Sequence, residues 1–115
     1  MTKILIVDDS PVDIQNLQHI LIDAGHLVTI ATSGAEGVAK AKASPHDLIM
    51  MDINMPGLDG FSAARQLTQD ANTKNIPLVF VTGKDQKADR VFAQMLGAKG
   101  FVTKPYTAEQ ILAQL

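Results

Sequence analysis

The chain has 115 residues, 46% of them hydrophobic, enough for one domain with a true core and too few for two. Ten Lys and Arg against twelve Asp and Glu leave a net charge of −2, with the basic residues spread along the chain, so no face for nucleic-acid phosphates is expected. Cysteine is absent, which excludes disulfides and thiolate metal sites; the apolar run Ile4 to Val7 is too short for a signal-peptide core, and no run nears the roughly 18 apolar residues of a membrane span, so a soluble cytoplasmic protein is expected.

Lys3 to Val7 is an unbroken apolar run after its first residue, read as a buried strand that ends at Asp8 and Asp9. Ser10 then stands at a helix N-cap, with Pro11 at the first helical position and Asp13 in the first turn. The helix is expected from Val12 to about Ala24, with Ile14, Leu17, Ile20 and Leu21 on one stripe and Gly25 as its stop. Leu27 to Ala31 is a second strand. Ser33 and Glu36 read as a capping box for a helix through Ala35, Val38, Ala39 and Ala43, closed by Pro45.

Leu48 to Met51 is a third strand, apolar at every position and therefore buried on both faces; the next residue is the carboxylate of Asp52. After the Pro56-Gly57 turn, Asp59 can cap a helix that buries Phe61, Ala64 and Leu67. Asp70 to Asn75 reads as a loop. Leu78 to Val81 is a fourth buried strand ending at Thr82-Gly83, followed by a helix from about Asp85 to Leu96 that turns Ala88, Val91, Phe92, Met95 and Leu96 inward until Gly97 ends it. Gly100 to Thr103 is a short fifth strand ending at Lys104-Pro105. Thr107 and Gln110 form a last capping box, for a helix with Ile111, Leu112 and Leu115 that is either short or continues past the last residue.

Strand and helix alternate five times, and helical crossovers between short apolar strands mean parallel pairing of one hand, an α/β three-layer sandwich. Every strand of such a sheet opens its C-terminal end onto one edge. Asp8 and Asp9, Asp52, Thr82 and Lys104 end strands one, three, four and five, so the topology delivers them together. Three carboxylates in contact would repel by about 4 kcal/mol per pair at roughly 4 Å and an effective dielectric of about 20, so they need a cation. An all-oxygen donor set selects a hard ion, Mg²⁺ or Mn²⁺ rather than Zn²⁺. An ion there leaves open positions for phosphoryl oxygens, with Lys104 and the Thr82 hydroxyl beside it, and a carboxylate can itself accept the group. Asp52, at the end of a central strand, is the expected acceptor.

Val-Asp-Asp-Ser at 7–10, Met-Asp-Ile-Asn-Met-Pro-Gly-Leu-Asp-Gly at 51–60, Val-Thr-Gly at 81–83 and Lys-Pro at 104–105 resemble, in order and over essentially the whole chain, the response-regulator receiver domain of two-component signalling. The resemblance implies a flavodoxin-like fold, a five-stranded parallel sheet in the order 2-1-3-4-5 with five helices, with residues 1–115 as one receiver domain. It implies that Asp52 is phosphorylated by a sensor histidine kinase or phosphotransfer domain. Asp9, Asp52 and the Asn54 backbone carbonyl would bind Mg²⁺ directly, and Asp8 mostly through water. Lys104 would pair with the phosphoryl group, Thr82 would move to hydrogen-bond it, and Phe101 would turn inward as the switch aromatic, in a position where Tyr is common. A cis bond before Pro105 is implied too. The face made by the fourth helix, fifth strand and fifth helix would then repack and bind a separate protein target. Asn54 and Lys84 would flank the path of attacking water and set the phosphate's lifetime. The segment Thr82 to Gln86 is similar to receivers of the type IV pilus twitching-motility chemosensory system.

Other readings are weaker on the same residues. A Mg²⁺-dependent aspartyl-phosphate phosphohydrolase usually carries Asp-x-Asp after its first strand and a cap insertion, whereas here the pair is adjacent and 115 residues leave no room for a cap. A receiver-like module that never takes phosphate does not need the full set of acids, Thr82 and Lys104. Asp8-Asp9-Ser10-Pro11 puts negative charge where a nucleotide pyrophosphate would sit. His19, His26 and His46 are expected to be unpaired surface residues with no part in a site.

Overall fold

Each of the five apolar runs becomes a strand, and each capped stretch after it a helix. In the computed structural model, which describes residues 2–115, the order is β1 (Lys3–Val7), α1 (Pro11–Asp23), β2 (Leu27–Ala31), α2 (Gly34–Ala43), β3 (Leu48–Met51), α3 (Gly60–Gln69), β4 (Leu78–Thr82), α4 (Lys87–Met95), β5 (Gly100–Thr103) and α5 (Ala108–Leu112). Met1, which the one-domain expectation includes, lies outside the described residues. All pairings are parallel and the strand order is 2-1-3-4-5, the three-layer arrangement expected.

Alternation along the strands divides the core in two. Leu5, Val7, Ile49, Met51 and Phe80 pack under α2, α3 and α4, through residues such as Val38, Ala64, Leu67 and Ala93. Ile4, Ile6, Leu48, Met50, Val79 and Val102 face the other way, onto Ile14, Leu17 and Leu21 of α1 and Ile111 of α5. The sheet is therefore covered on both sides, which is why β1 after Lys3, all of β3, and β4 before Thr82 carry no polar residue.

The caps follow the sequence closely. Ser10, Ser33, Asp59 and Thr107 each accept a bond from a backbone N–H of the first turn, and Thr107 and Gln110 complete a reciprocal box. The box expected at Ser33 is only half made: Glu36 donates its N–H to Ser33 Oγ, but its carboxylate accepts from Thr32 N–H instead. Gly25 and Gly97 end α1 and α4 at φ of 90° and 80°, a left-handed conformation open to glycine at little cost.

Helix α4 departs from the expectation. It starts at Lys87, because Gln86 and Asp89 form the box there and leave Asp85 outside. Its buried face is Asp89, Phe92, Ala93 and Leu96, while Ala88, Val91 and Met95 face outward, Met95 at 77% exposure. The cause is the capping box: it draws Asp89 against the β4–α4 loop, where Gln86 N–H and Lys84 satisfy it, and this rotation points Ala88, Val91 and Met95 at solvent while Phe92 and Leu96 stay inward as expected. In α2 the contact face is Gly34, Gly37, Val38 and Ala41, with Ala35, Ala39 and Ala43 exposed. Both Gly34 and Gly37 are there because a Cβ would strike Leu58 or Val7. Leu112 and Leu115 of the last turn are exposed and only Ile111 is buried.

Candidate functional site

Four strand ends meet at one edge of the sheet. Asp52 follows β3 directly, is 8% exposed, and its Oδ1 accepts from the Ile53 N–H at 2.7 Å. Asp8 follows β1, is more deeply buried, and its Oδ1 accepts from the Ser10 N–H at 2.9 Å, which ties the acid to the start of α1. Asp9 is exposed. One carboxylate oxygen from each of Asp8, Asp9 and Asp52 lies within 4.8 Å of the others. Three carboxylate oxygens gathered this closely form a set that would hold a hard divalent cation such as Mg²⁺. The donor set, all oxygen and strongly negative, fits that hard cation.

Lys104 enters from the end of β5. Its Nζ donates to Asp8 Oδ2 at 2.8 Å, Asp13 Oδ2 at 2.9 Å and Asp52 Oδ2 at 3.2 Å. Burial alone would lower the lysine's pKa, but the hydrogen bonds to Asp8 and Asp13 and the charges of Asp52 and Asp8 outweigh it and hold the ammonium above the usual lysine range. Asp8 moves up from the ordinary carboxylate value: burial dominates, helped by the charge of Asp52, against the bonds from Lys104 and Ser10. The peptide between Lys104 and Pro105 is cis.

Thr82 ends β4 fully buried, and its Oγ1 accepts from the Lys84 N–H at 3.1 Å. Lys84 itself reaches the buried Asp89 at 3.5 Å. Phe101, half-buried on β5, stands 6.5 Å from the Phe80 ring and carries the Arg90 guanidinium 4.7 Å above its own. Asn54 is exposed in the β3–α3 loop, beside Pro56 and Gly57.

Two residues of this neighbourhood make contacts that the sequence did not disclose. Asp13 was accounted for by the helix dipole, and its bond to a lysine 91 positions away has no local signal. Gly60 sits so tightly under Asp52 that a Cβ would come 2.0 Å from the Asp52 carbonyl oxygen, so it sets how closely α3 approaches the acid. The histidines lie elsewhere, with a correction for each. His46 is buried, 7% exposed, because the short α2–β3 connection tucks it under the sheet at the end opposite Asp52; Ser44 O meets Nδ1 at 3.1 Å. His19 is exposed as expected but not unpaired, since Nε2 lies 3.4 Å from Asp23 one turn on. His26, half-buried, accepts from the Thr2 N–H.

Among the described residues no helix is long and apolar enough to cross a membrane. Protein PilH of Pseudomonas aeruginosa is 48% identical over 112 residues, 97% of this chain and 93% of that one. The chemotaxis protein CheY4 of Vibrio cholerae superposes with a TM-score of 0.92 at 34% identity, over 98% of this chain and 94% of that chain. The receiver domain of the sensor histidine kinase PA1611 from Pseudomonas aeruginosa, solved with a magnesium ion coordinated in its active-site cleft, superposes with a TM-score of 0.90 at 28% identity, over 97% and 92%. The response regulator receiver domain family matches from residue 4 to residue 115. Strand order, relatives and family match agree, and the chain belongs to the response regulator receiver domains of two-component signalling.

Proposed function

We propose that residues 1–115 act as one phospho-accepting receiver and that Asp52 is the acceptor. The observation that carries this is the meeting of Asp8, Asp9, Asp52 and Lys104 at one sheet edge, with the hydroxyl-bearing Thr82 ending the neighbouring strand. An Asp52 carboxylate oxygen attacks the phosphorus of a phosphohistidine on a sensor histidine kinase or phosphotransfer domain. The O–P bond forms as the P–N bond breaks, and the electron pair leaves with the imidazole, which takes up a proton from water. Asp8, Asp9, Asp52 and the Asn54 carbonyl would hold Mg²⁺ or Mn²⁺, which supplies charge neutralisation for the transferring phosphoryl oxygens. Lys104 pairs with the phosphoryl group, and Thr82 gives up its bond from Lys84 N–H to donate to it. Asn54 and Lys84 set the phosphate's lifetime.

Phe101 is the switch aromatic, moving into space that Thr82 vacates, and the face of α4, β5 and α5 is the part that changes. Its outward Val91 and Met95 suit a protein target rather than nucleic acid or membrane. The chain catalyses only its own phosphorylation and dephosphorylation. Similarity to PilH supports a place in a twitching-motility chemosensory system, in the cytoplasm, where a histidine kinase delivers phosphate.

Incubation with acetyl phosphate or phosphoramidate and Mg²⁺ tests the reading. Intact mass should rise by one phosphoryl group in the wild type and not in Asp52→Asn. A folded wild-type protein that gains no mass refutes it.

A further inference from the structure

Lys104 carries three N–H bonds and meets three carboxylates, so its donors are all in use. Asp8 and Asp52 belong to the acid cluster; Asp13 does not. It sits in the first turn of α1, its N–H held by Ser10 Oγ, and its side chain keeps 39% exposure. A favourable helix dipole explains an acid at that position, but not why its oxygen lies 2.9 Å from a lysine on the far side of the pocket.

The consequence is a competition. Once Asp52 carries a phosphoryl group and a divalent ion shares the charge of Asp8 and Asp9, Lys104 can turn to a phosphoryl oxygen only by loosening a bond it already makes. Asp13 lies outside the ion's ligand set, so its hold on Lys104 is the one that metal binding does not weaken. Its charge also repels an incoming anion while attracting the cation.

We infer that Asp13 is a positioning residue that seats the Lys104 ammonium against α1, favouring metal entry and opposing phosphoryl binding at Asp52. The inference rests on the phosphoryl reading above. It predicts effects of opposite sign, which simple loosening of the fold would not produce. In Asp13→Asn, Mg²⁺ affinity falls about threefold, from loss of one charge near the mouth of the pocket. At saturating Mg²⁺, beryllofluoride, a stable mimic of the phosphoryl group, binds about threefold more tightly, because Lys104 is released. Asp13→Glu keeps the charge and should keep wild-type Mg²⁺ affinity.

The test is calorimetric titration of Mg²⁺ into the full chain, followed by NMR titration of beryllofluoride at saturating Mg²⁺, for wild type and both variants. Weaker Mg²⁺ binding with tighter beryllofluoride binding in Asp13→Asn supports the assignment. Unchanged or weaker beryllofluoride binding in that variant, with the wild type binding normally, overturns the role of Asp13 alone. A wild type that binds no beryllofluoride overturns the phosphoryl reading and this inference with it.

Discussion

Two cations flank β5, and they are held in very different ways. Lys104, at the strand's end, is 17% exposed and surrounded by three acids, two of them buried. Arg90, on α4, is 48% exposed; it donates to Asp85 at 2.6 Å and Thr103 at 2.9 Å and lies over the Phe101 ring. The contact distances are alike, yet the two buried partners of Lys104, Asp8 and Asp52, cannot turn to water if it is removed, whereas the exposed Asp85 beside Arg90 can. Burial, not distance, decides what each contact is worth. The acids of the pocket therefore depend on Lys104, whereas the α4–β5 flank is joined by solvent-exposed contacts.

The largest effect should come from breaking the buried side of that comparison. Lys104→Met leaves Asp8 and Asp52 facing each other with no counter-ion, and the metal-free protein at pH 7 should lose about 3 kcal/mol of stability, the cost of stranding buried charge. Mg²⁺ should restore much of it. Urea unfolding with and without Mg²⁺ measures both, and a variant as stable as wild type in the absence of metal would show that the acids are better hydrated than their burial suggests.

The contrast also marks what the sequence could reveal. Strands announce themselves by unbroken apolar runs such as Leu48 to Met51, and strand ends in a parallel sheet share an edge, so Asp8, Asp52 and Lys104 could be placed together without coordinates. Helix α4 could not be read the same way. Its apolar residues spread over too wide an arc to fix one face: Phe92 and Leu96 do turn inward as expected, but the acid Asp89 takes the place beside them that hydrophobicity would give to Ala88, Val91 and Met95. The acid wins because its partners, Gln86 N–H and Lys84, lie in the preceding loop and make its burial tolerable. Asp13 is the opposite case: a sufficient local reason for its presence concealed a long-range one.

A smaller effect, of the other sign, follows from Asp8. Burial holds its folded pKa above the unfolded value, so the folded state is favoured by the protonated acid. That stability is fully present below the unfolded value and is lost as pH rises through the raised folded value. Metal-free wild type is therefore penalised at neutral pH, and Asp8→Asn should be more stable than wild type by about 1 kcal/mol there, the gap closing as pH falls toward 4. His46 titrates with the reverse sign, since burial lowers its pKa and its contribution is lost as pH falls below the usual imidazole value. Both proteins carry it, so the difference between them at each pH isolates Asp8. With Mg²⁺ present the order should reverse, because the variant gives up a ligand.

The exposed side of the comparison should yield the smallest effects and a different dependence on salt. Arg90 stands over Phe101 while bound to Asp85, so two double-mutant cycles separate its contacts. The Arg90→Ala and Phe101→Leu cycle should give a coupling of about 0.5 kcal/mol, the usual worth of an exposed cation over an aromatic face. The Arg90→Ala and Asp85→Asn cycle should show coupling at low ionic strength that weakens clearly in about 1 M NaCl, where the screening length falls to about 3 Å. Lys104, shielded from solvent, should keep its coupling to Asp8 at both salt concentrations. If the Arg90 ion pair proves as insensitive to salt as the Lys104 pair, the α4–β5 flank is as firmly held as the pocket, and a switch that releases Phe101 from Arg90 would have to overcome far more than a surface contact.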